Sequence, residues 1–178
     1  MTQDISGDLL RKLLRYEPET GKLFWLHRTN DIDCRFRQFN SQFAGKEALY
    51  GMSASHGYRA GSIFAKQYLA HRVIWALIHD EWPSFIDHIN GDRTDNRLKN
   101  LRTVTKSENA KNMAISKRNK SGTIGIYWAG HARKWRAEIM SGGKRRHLGY
   151  FTDIASASAA RKMAERELDF HENHGRVA

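Results

Sequence analysis

The stretch FIDHINGDRTDNRLKNLRTVTKSENAKN, residues 85–112, decides how this chain is read. Asp87 stands beside His88, and seven further Asp and Asn residues crowd the next 24 positions. Turn formation accounts for part of this, because Asn, Asp and Gly close turns and NGD at 90–92 is a strong turn signal. The flanks add order. SFIDHI (84–89) is short, apolar and β-rich, and LRTVT (101–105) reads as a second strand. Thr105-Lys-Ser-Glu108 is a capping box, in which the threonine oxygen and the glutamate carboxylate satisfy the first free amides of a helix. The helix is expected to run to about Lys117. The order is strand, long loop, strand, helix.

On that scaffold Asp87 and His88 fall at the end of the first strand. Neighbours on a regular strand point to opposite faces, so both reach one centre only if the strand ends or twists there. Asn109 falls in the first turn of the capped helix. Asp87 and Asn109 offer hard oxygen ligands, with room left for water and phosphate oxygens. Such a set suits Mg²⁺, which keeps much of its hydration, with Mn²⁺ as the alternative ion. Zinc asks for more nitrogen or sulfur. Asp92, Asp95 and Asn96 lack calcium-loop spacing and are read as turn chemistry. His71, ahead of an apolar stripe, is read as a packing residue or a bond partner near the site.

These residues resemble the HNH nucleases, the ββα-metal fingers, in the variant that ends on Asn. The pattern is Asp87-His88, eleven residues, Asn100, eight residues, Asn109, inside KNLRTVTKSEN. YEPETGKLFW (16–25) and AHRVIWALIHDEWP (70–83) are similar to the lead-in of phage-type members, so the resemblance spans about residues 8–113. It implies His88 as the general base that takes a proton from water, and Asp87 and Asn109 as metal ligands. It implies Asn100 as the residue that pins the loop so that His88 keeps its orientation. The products implied are a 5′-phosphate and a 3′-hydroxyl.

Charge points to the same class of partner. The net charge is +11 over 178 residues, which calls for a polyanion. Residues 117–152 alone carry nine basic residues and one acid. No 18-residue apolar run is present, so no membrane span is expected. The N-terminus lacks an apolar signal core, and Cys34 is the only cysteine; both fit a reducing cytoplasm.

ISKRNKSG (115–122) is small, polar and basic, and reads as a linker between a nuclease part (1–114) and a second domain (123–178). Ahead of it, 7–16 reads as a helix and 19–28 as a strand. Residues 57–83 read as two strands turning near Ala65–Lys66, then a helix from about His71 to His79 that Pro83 ends. Its stripe is Val73, Ile74, Leu77 and Ile78. Beyond the linker, strands are expected at 123–129, 134–141 and 145–151, with GHAR and SGGK as hairpin turns. Trp135, Ala137 and Ile139 alternate with Arg136, Glu138 and Met140, giving a core face and an open face. An Ala-rich helix capped by Thr152 or Asp153 follows, with Ala157, Ala159 and Ala160 laid on the sheet. The fold class expected is α+β: a ββα-metal finger, then a three-stranded antiparallel sheet on one helix.

NKSGTIGIYW, KWRAEI and GKRRHLGYF resemble the ethylene-response-factor (Apetala-type) DNA-binding domain, whose sheet enters the major groove. The resemblance implies duplex-DNA contacts from Tyr127, Arg136, Glu138, Met140, Arg145 and His147. Lys144 and Arg146 add phosphate grip, and Arg133 is a further duplex-binding residue. Plant members carry Arg at several places where this chain has Tyr127, Met140 and His147, so the docking mode is implied and the target sequence is not. Trp128 and Trp135 are read as core. The whole reads as a homing-type endonuclease, a monomer acting on double-stranded DNA without a small-molecule cofactor. A catalytically silent DNA-binding regulator and an RNA-binding module are the alternatives.

Overall fold

The computed structural model describes residues 5–53, 57–113, 115, 116, 118–172, 174 and 175. Two compact units divide the chain, Met1–Thr103 and Val104–Ala178. The architecture is α+β, with helices beside small antiparallel sheets.

The first unit opens with helix α1 (Gly7–Leu13), capped by Ser6, whose Oγ accepts the Leu9 N–H. Arg11 and Lys12 lie in its last turn, where cations suit the helix dipole. The helix stops at Leu13, short of the 7–16 expected, because Leu14 leaves for a strand. Strands β1 (Leu14–Glu17) and β2 (Lys22–Trp25) form a hairpin in which Leu14 opposes Trp25. After helix α2 (Phe36–Phe43) come the short strands β3 (Glu47–Ala48), which extends the first sheet, and β4 (Gly51–Met52). Strand β4 pairs with β5 (Arg59–Ile63), and β5 with β6 (Lys66–Leu69), through the turn expected at Ala65–Lys66. The turn residues Phe64 and Ala65 both have left-handed φ, 49° and 64°.

Helix α3 (Ala70–His79) follows directly. Val73, Ile74, Ala76 and Leu77 are buried, whereas Ile78 of the expected stripe is exposed. The helix is ended by Asp80 in the left-handed conformation, three residues before Pro83. The Asp80 carboxylate then accepts the Gly7 N–H at 2.7 Å, so the end of α3 caps the start of α1. Leu10, Leu13, Leu23, Ile63, Val73 and Ile74 are the innermost side chains of this core. Strand β7 (Ile86–His88) and β8 (Leu101–Thr103) close the unit as an antiparallel pair, His88 opposite Leu101 and Asp87 opposite Arg102.

The second unit begins with helix α4 (Lys106–Lys111). The capping box is formed as expected: Thr105 Oγ1 accepts the Glu108 N–H, and the Glu108 carboxylate accepts the Thr105 N–H. The helix ends at Lys111, short of the extent expected, and Lys117 lies outside the described residues. Strands β9 (Ile126–Ala129), β10 (Lys134–Ser141) and β11 (Lys144–Phe151) form the expected sheet, with β10 in the middle. Helix α5 (Ile154–Glu167) is capped by Asp153, which accepts the Ser156 N–H at 2.8 Å. Ile126, Ala137 and Ala157 are the buried centre, with Trp135, Leu148, Phe151 and Ile154 packed around it. Ala159 is exposed; Ala157, Arg161 and Ala164 are the buried residues of the helix. No helix among the described residues is long and apolar enough to cross a membrane.

Candidate active site and basic sheet

Strand β7 ends at His88, and Ile86, Asp87 and His88 are all buried. Asp87 Oδ2 accepts from the Arg102 guanidinium, at 3.0 Å from Nη2 and 3.3 Å from Nε. This is a cross-strand pair set by the register of the hairpin.

His88 is 3% exposed, and polar or aromatic groups surround it. Its Nε2 lies 3.0 Å from Asn96 Oδ1. An amide oxygen only accepts, so Nε2 carries the proton and the lone pair of neutral His88 sits on Nδ1. The His71 ring meets His88 edge-on at 5.1 Å, and Tyr58 lies 5.8 Å from it. Burial lowers the His88 pKa, opposed by the Asn96 hydrogen bond and by the carboxylates of Asp87, Asp92 and Asp95. His71 is buried too, and desolvation, with a smaller push from His88 and Arg72, drives it down to about 3.

The loop between the strands is built by its own amides. Asn100 Oδ1 accepts the Asn90 N–H at 2.9 Å, while its Nδ2 donates to Asn90 Oδ1 and to the Asp95 carbonyl. Asp92 caps the turn at Thr94. Asp95 holds Arg97 through two hydrogen bonds of 2.6 and 2.7 Å, and that guanidinium takes its pKa down to about 2. The residue after Asp95 is Asn96, so fixing the Asp95 carbonyl fixes the partner of His88.

A second clamp comes from the β1–β2 hairpin. The Tyr16 hydroxyl donates to the Asn96 carbonyl at 3.2 Å and accepts the Leu98 N–H at 2.8 Å. Gly21, at φ 71°, forms the hairpin turn, and a Cβ there would lie 2.5 Å from Arg97 N. Asn96 was read as turn chemistry from sequence; its short-range signal is only its place between an Asx turn and the strand. Asp87, His88 and Asn100 thus share one hairpin. Asn109 is exposed on α4, in the second unit, where its N–H bonds the Thr105 carbonyl.

Among the described residues, no three His, Cys, Asp or Glu side chains converge as a metal cluster. Asp87 offers a carboxylate and the loop offers amide oxygens, donors that fit a divalent cation.

In the second unit, Tyr127, Arg136, Tyr150, Glu138, His147, Met140 and Arg145 meet across the strands on one face of the sheet. Arg133 is exposed in the β9–β10 turn at φ 48°, and Lys144 is exposed at the start of β11. Arg146 opposes Ile139 on the other face and bonds Glu167 of α5 at 3.3 Å. Trp128 is 52% exposed and meets Trp135 edge-on, so it lies at the margin of the core and not within it.

Strand, Asx-rich loop, strand and capped helix, with a histidine at the end of the first strand, define the class. Residues 68–111, from β6 to the end of α4, match the family model described as HNH endonuclease. The chain belongs to one family with Protein 3.8 of Escherichia phage T7, being 33% identical to it over 117 residues. That alignment covers 65% of this chain and 92% of that protein. No solved structure matches.

Proposed function

We propose that the chain is a metal-dependent DNA endonuclease of the homing type, cutting with the finger at 85–112 and reading duplex DNA with the sheet at 123–151. The division into a nuclease part (1–114), a linker (115–122) and a DNA-binding domain (123–178) belongs to this reading. The observation that carries it is the Asn96–His88 hydrogen bond, which leaves Nδ1 as the basic nitrogen in a loop fixed from two sides.

In this mechanism His88 Nδ1 takes a proton from water. The hydroxide formed attacks phosphorus in line, the bond from phosphorus to the 3′ oxygen breaks, and that oxygen takes a proton from water. The products are a 5′-phosphate and a 3′-hydroxyl. Asp87 and Asn109 would hold a divalent ion, Mg²⁺ by its hard donors, which when bound supplies charge neutralisation for the phosphate. Arg102 orients Asp87, and Asn100 holds the loop. The side chains of Tyr127, Arg133, Arg136, Lys144, Arg145 and His147 would meet the duplex.

The test is digestion of supercoiled plasmid with Mg²⁺, with and without a chelator, beside His88→Ala. Relaxed product that vanishes with the chelator and in the variant, while duplex binding persists, supports the reading. Equal cutting by His88→Ala removes it from the mechanism. Binding without any cutting by the wild type favours the silent regulator, and preference for RNA over duplex DNA overturns the role of the sheet.

A further inference from the structure

The one acid of the basic segment occupies the middle of its open face. Residues 117–152 hold nine Lys and Arg residues against Glu138 alone. Glu138 Oε2 accepts from the Tyr127 hydroxyl at 2.8 Å and pairs with Arg136 Nη2 at 3.0 Å. Oε1 faces Arg145 Nε at 3.6 Å. All three strands therefore converge on one carboxylate, which is 15% exposed beneath guanidiniums that are 29% and 59% exposed.

The backbone is specialised at the same residue. The pairing of β10 with β11 shifts register between Ala137 and Glu138. The Glu138 N–H bonds the Gly125 carbonyl at 2.9 Å, and its own carbonyl accepts from the buried Arg161 of α5. A bulge of this kind re-aims a side chain. Here the extra residue is Leu148 of β11, and it brings Arg145 and His147 onto the face that carries Glu138.

Exposed ion pairs stabilise a fold little. Their effect on a polyanion is larger, because every cation matched by protein is one fewer available to displace counterions from DNA. We propose that Glu138 is a specificity-determining residue: its carboxylate holds Arg136 and Arg145 so that random duplex does not recruit them. A matching site does, because guanine edges accept from guanidinium and a cytosine amino group donates to the freed carboxylate. This rests on the reading of the sheet as the DNA-binding face.

The experiment is fluorescence anisotropy of the full chain on random-sequence duplex across a salt series, and on a duplex selected in vitro by the wild type. Glu138→Gln is expected to bind random duplex about three- to tenfold tighter, with log K falling more steeply with log salt by about one. The ratio of selected to random affinity falls by the same factor. A gain in affinity does not arise from a misfolded sheet. If Glu138→Gln does not fold, Arg136→Gln is compared with Lys144→Gln; the arginine change is expected to flatten the salt slope less, because its charge is already matched. Random-duplex binding by Glu138→Gln that is unchanged or weaker overturns the proposal, as does equal flattening by the two cation variants. A wild type that binds no duplex overturns the DNA-binding reading itself; binding with an unaltered Glu138→Gln overturns only the role given to Glu138.

Discussion

His88 Nε2 and Asn96 Oδ1 lie 3.0 Å apart, both buried, and seven residues of loop lie between them in the chain. The pair fixes which imidazole nitrogen carries the proton. Loss of that partner leaves the imidazole free to rotate or to change tautomer, while nothing on the basic sheet changes. Asn96→Ala is therefore expected to lower the rate of plasmid nicking about 10- to 100-fold, the range for residues that orient a reacting group. His88→Ala is expected to lower it by at least about 10²-fold. Single-turnover nicking beside duplex anisotropy separates rate from binding. Wild-type rates in Asn96→Ala would mean that the ring is held by packing alone.

The hairpin clamp makes a stability prediction from a residue far from the chemistry in sequence. Gly21 is left-handed, and its absent Cβ is what lets the turn sit against the Asn96–Arg97 backbone. Gly21→Ala meets backbone on both counts and is expected to cost roughly 2–3 kcal/mol, combining αL strain with a steric shift. Tyr16→Phe removes two hydrogen bonds to the same loop and is expected to cost about 1–3 kcal/mol. Both are read by urea denaturation. Both also lower nicking more than their stability loss explains, because the displaced loop carries Asn96.

The β5–β6 turn offers the opposite sign. A two-residue turn with both φ positive favours Asn-Gly, yet Phe64 and Ala65 occupy it. Ala65 is exposed, so little but strain is altered by replacing it. Ala65→Gly is expected to raise stability by about 0.5–1 kcal/mol, somewhat less than the αL cost because glycine also loosens the unfolded chain. A thermal melt that does not rise would show that the turn is relaxed as it stands.

What was legible in the sequence was what short-range rules govern. The capping box at Thr105 and Glu108, the Asp153 cap and the period-two alternation of β10 are each decided within a few residues. Asn100 was legible in outline through its place ahead of the second strand. Asn96 was not, because its role depends on how the loop closes over Asn100 and under Tyr16, 80 residues away in sequence. Helix α2 gave no signal, since Arg35 at its start makes no side-chain capping bond, and β3 and β4 are two residues each. The end of α1 was misjudged because Leu14 continues the helical pattern but is taken by Trp25 across a hairpin. Ile78 was misjudged at the edge of its stripe, where spacing alone does not tell the buried from the exposed.

His71 makes the site-bearing unit sensitive to acid. Its ring is buried against His88 and Tyr58, its Nδ1 has no hydrogen-bond partner among the described residues, and burial lowers its pKa to about 3. The unfolded value is near 6.5, so between about pH 6.5 and 3 the unfolded chain binds a proton that the folded chain refuses. Stability then rises with pH across that window, is complete above about 6.5, and is lost as pH falls. His88 is shifted in the same direction and adds to the slope. Between about pH 7.5 and 5.5 the His71 contribution alone is roughly 1–1.5 kcal/mol, and it does not depend on how far below 5.5 the folded value lies. Urea denaturation at the two pH values measures it. His71→Leu, which keeps an apolar side chain and removes the titration, is expected to flatten the dependence. An equal slope in the variant would mean that protonation is accommodated in the folded state, and that the buried ring beside His88 has access to water.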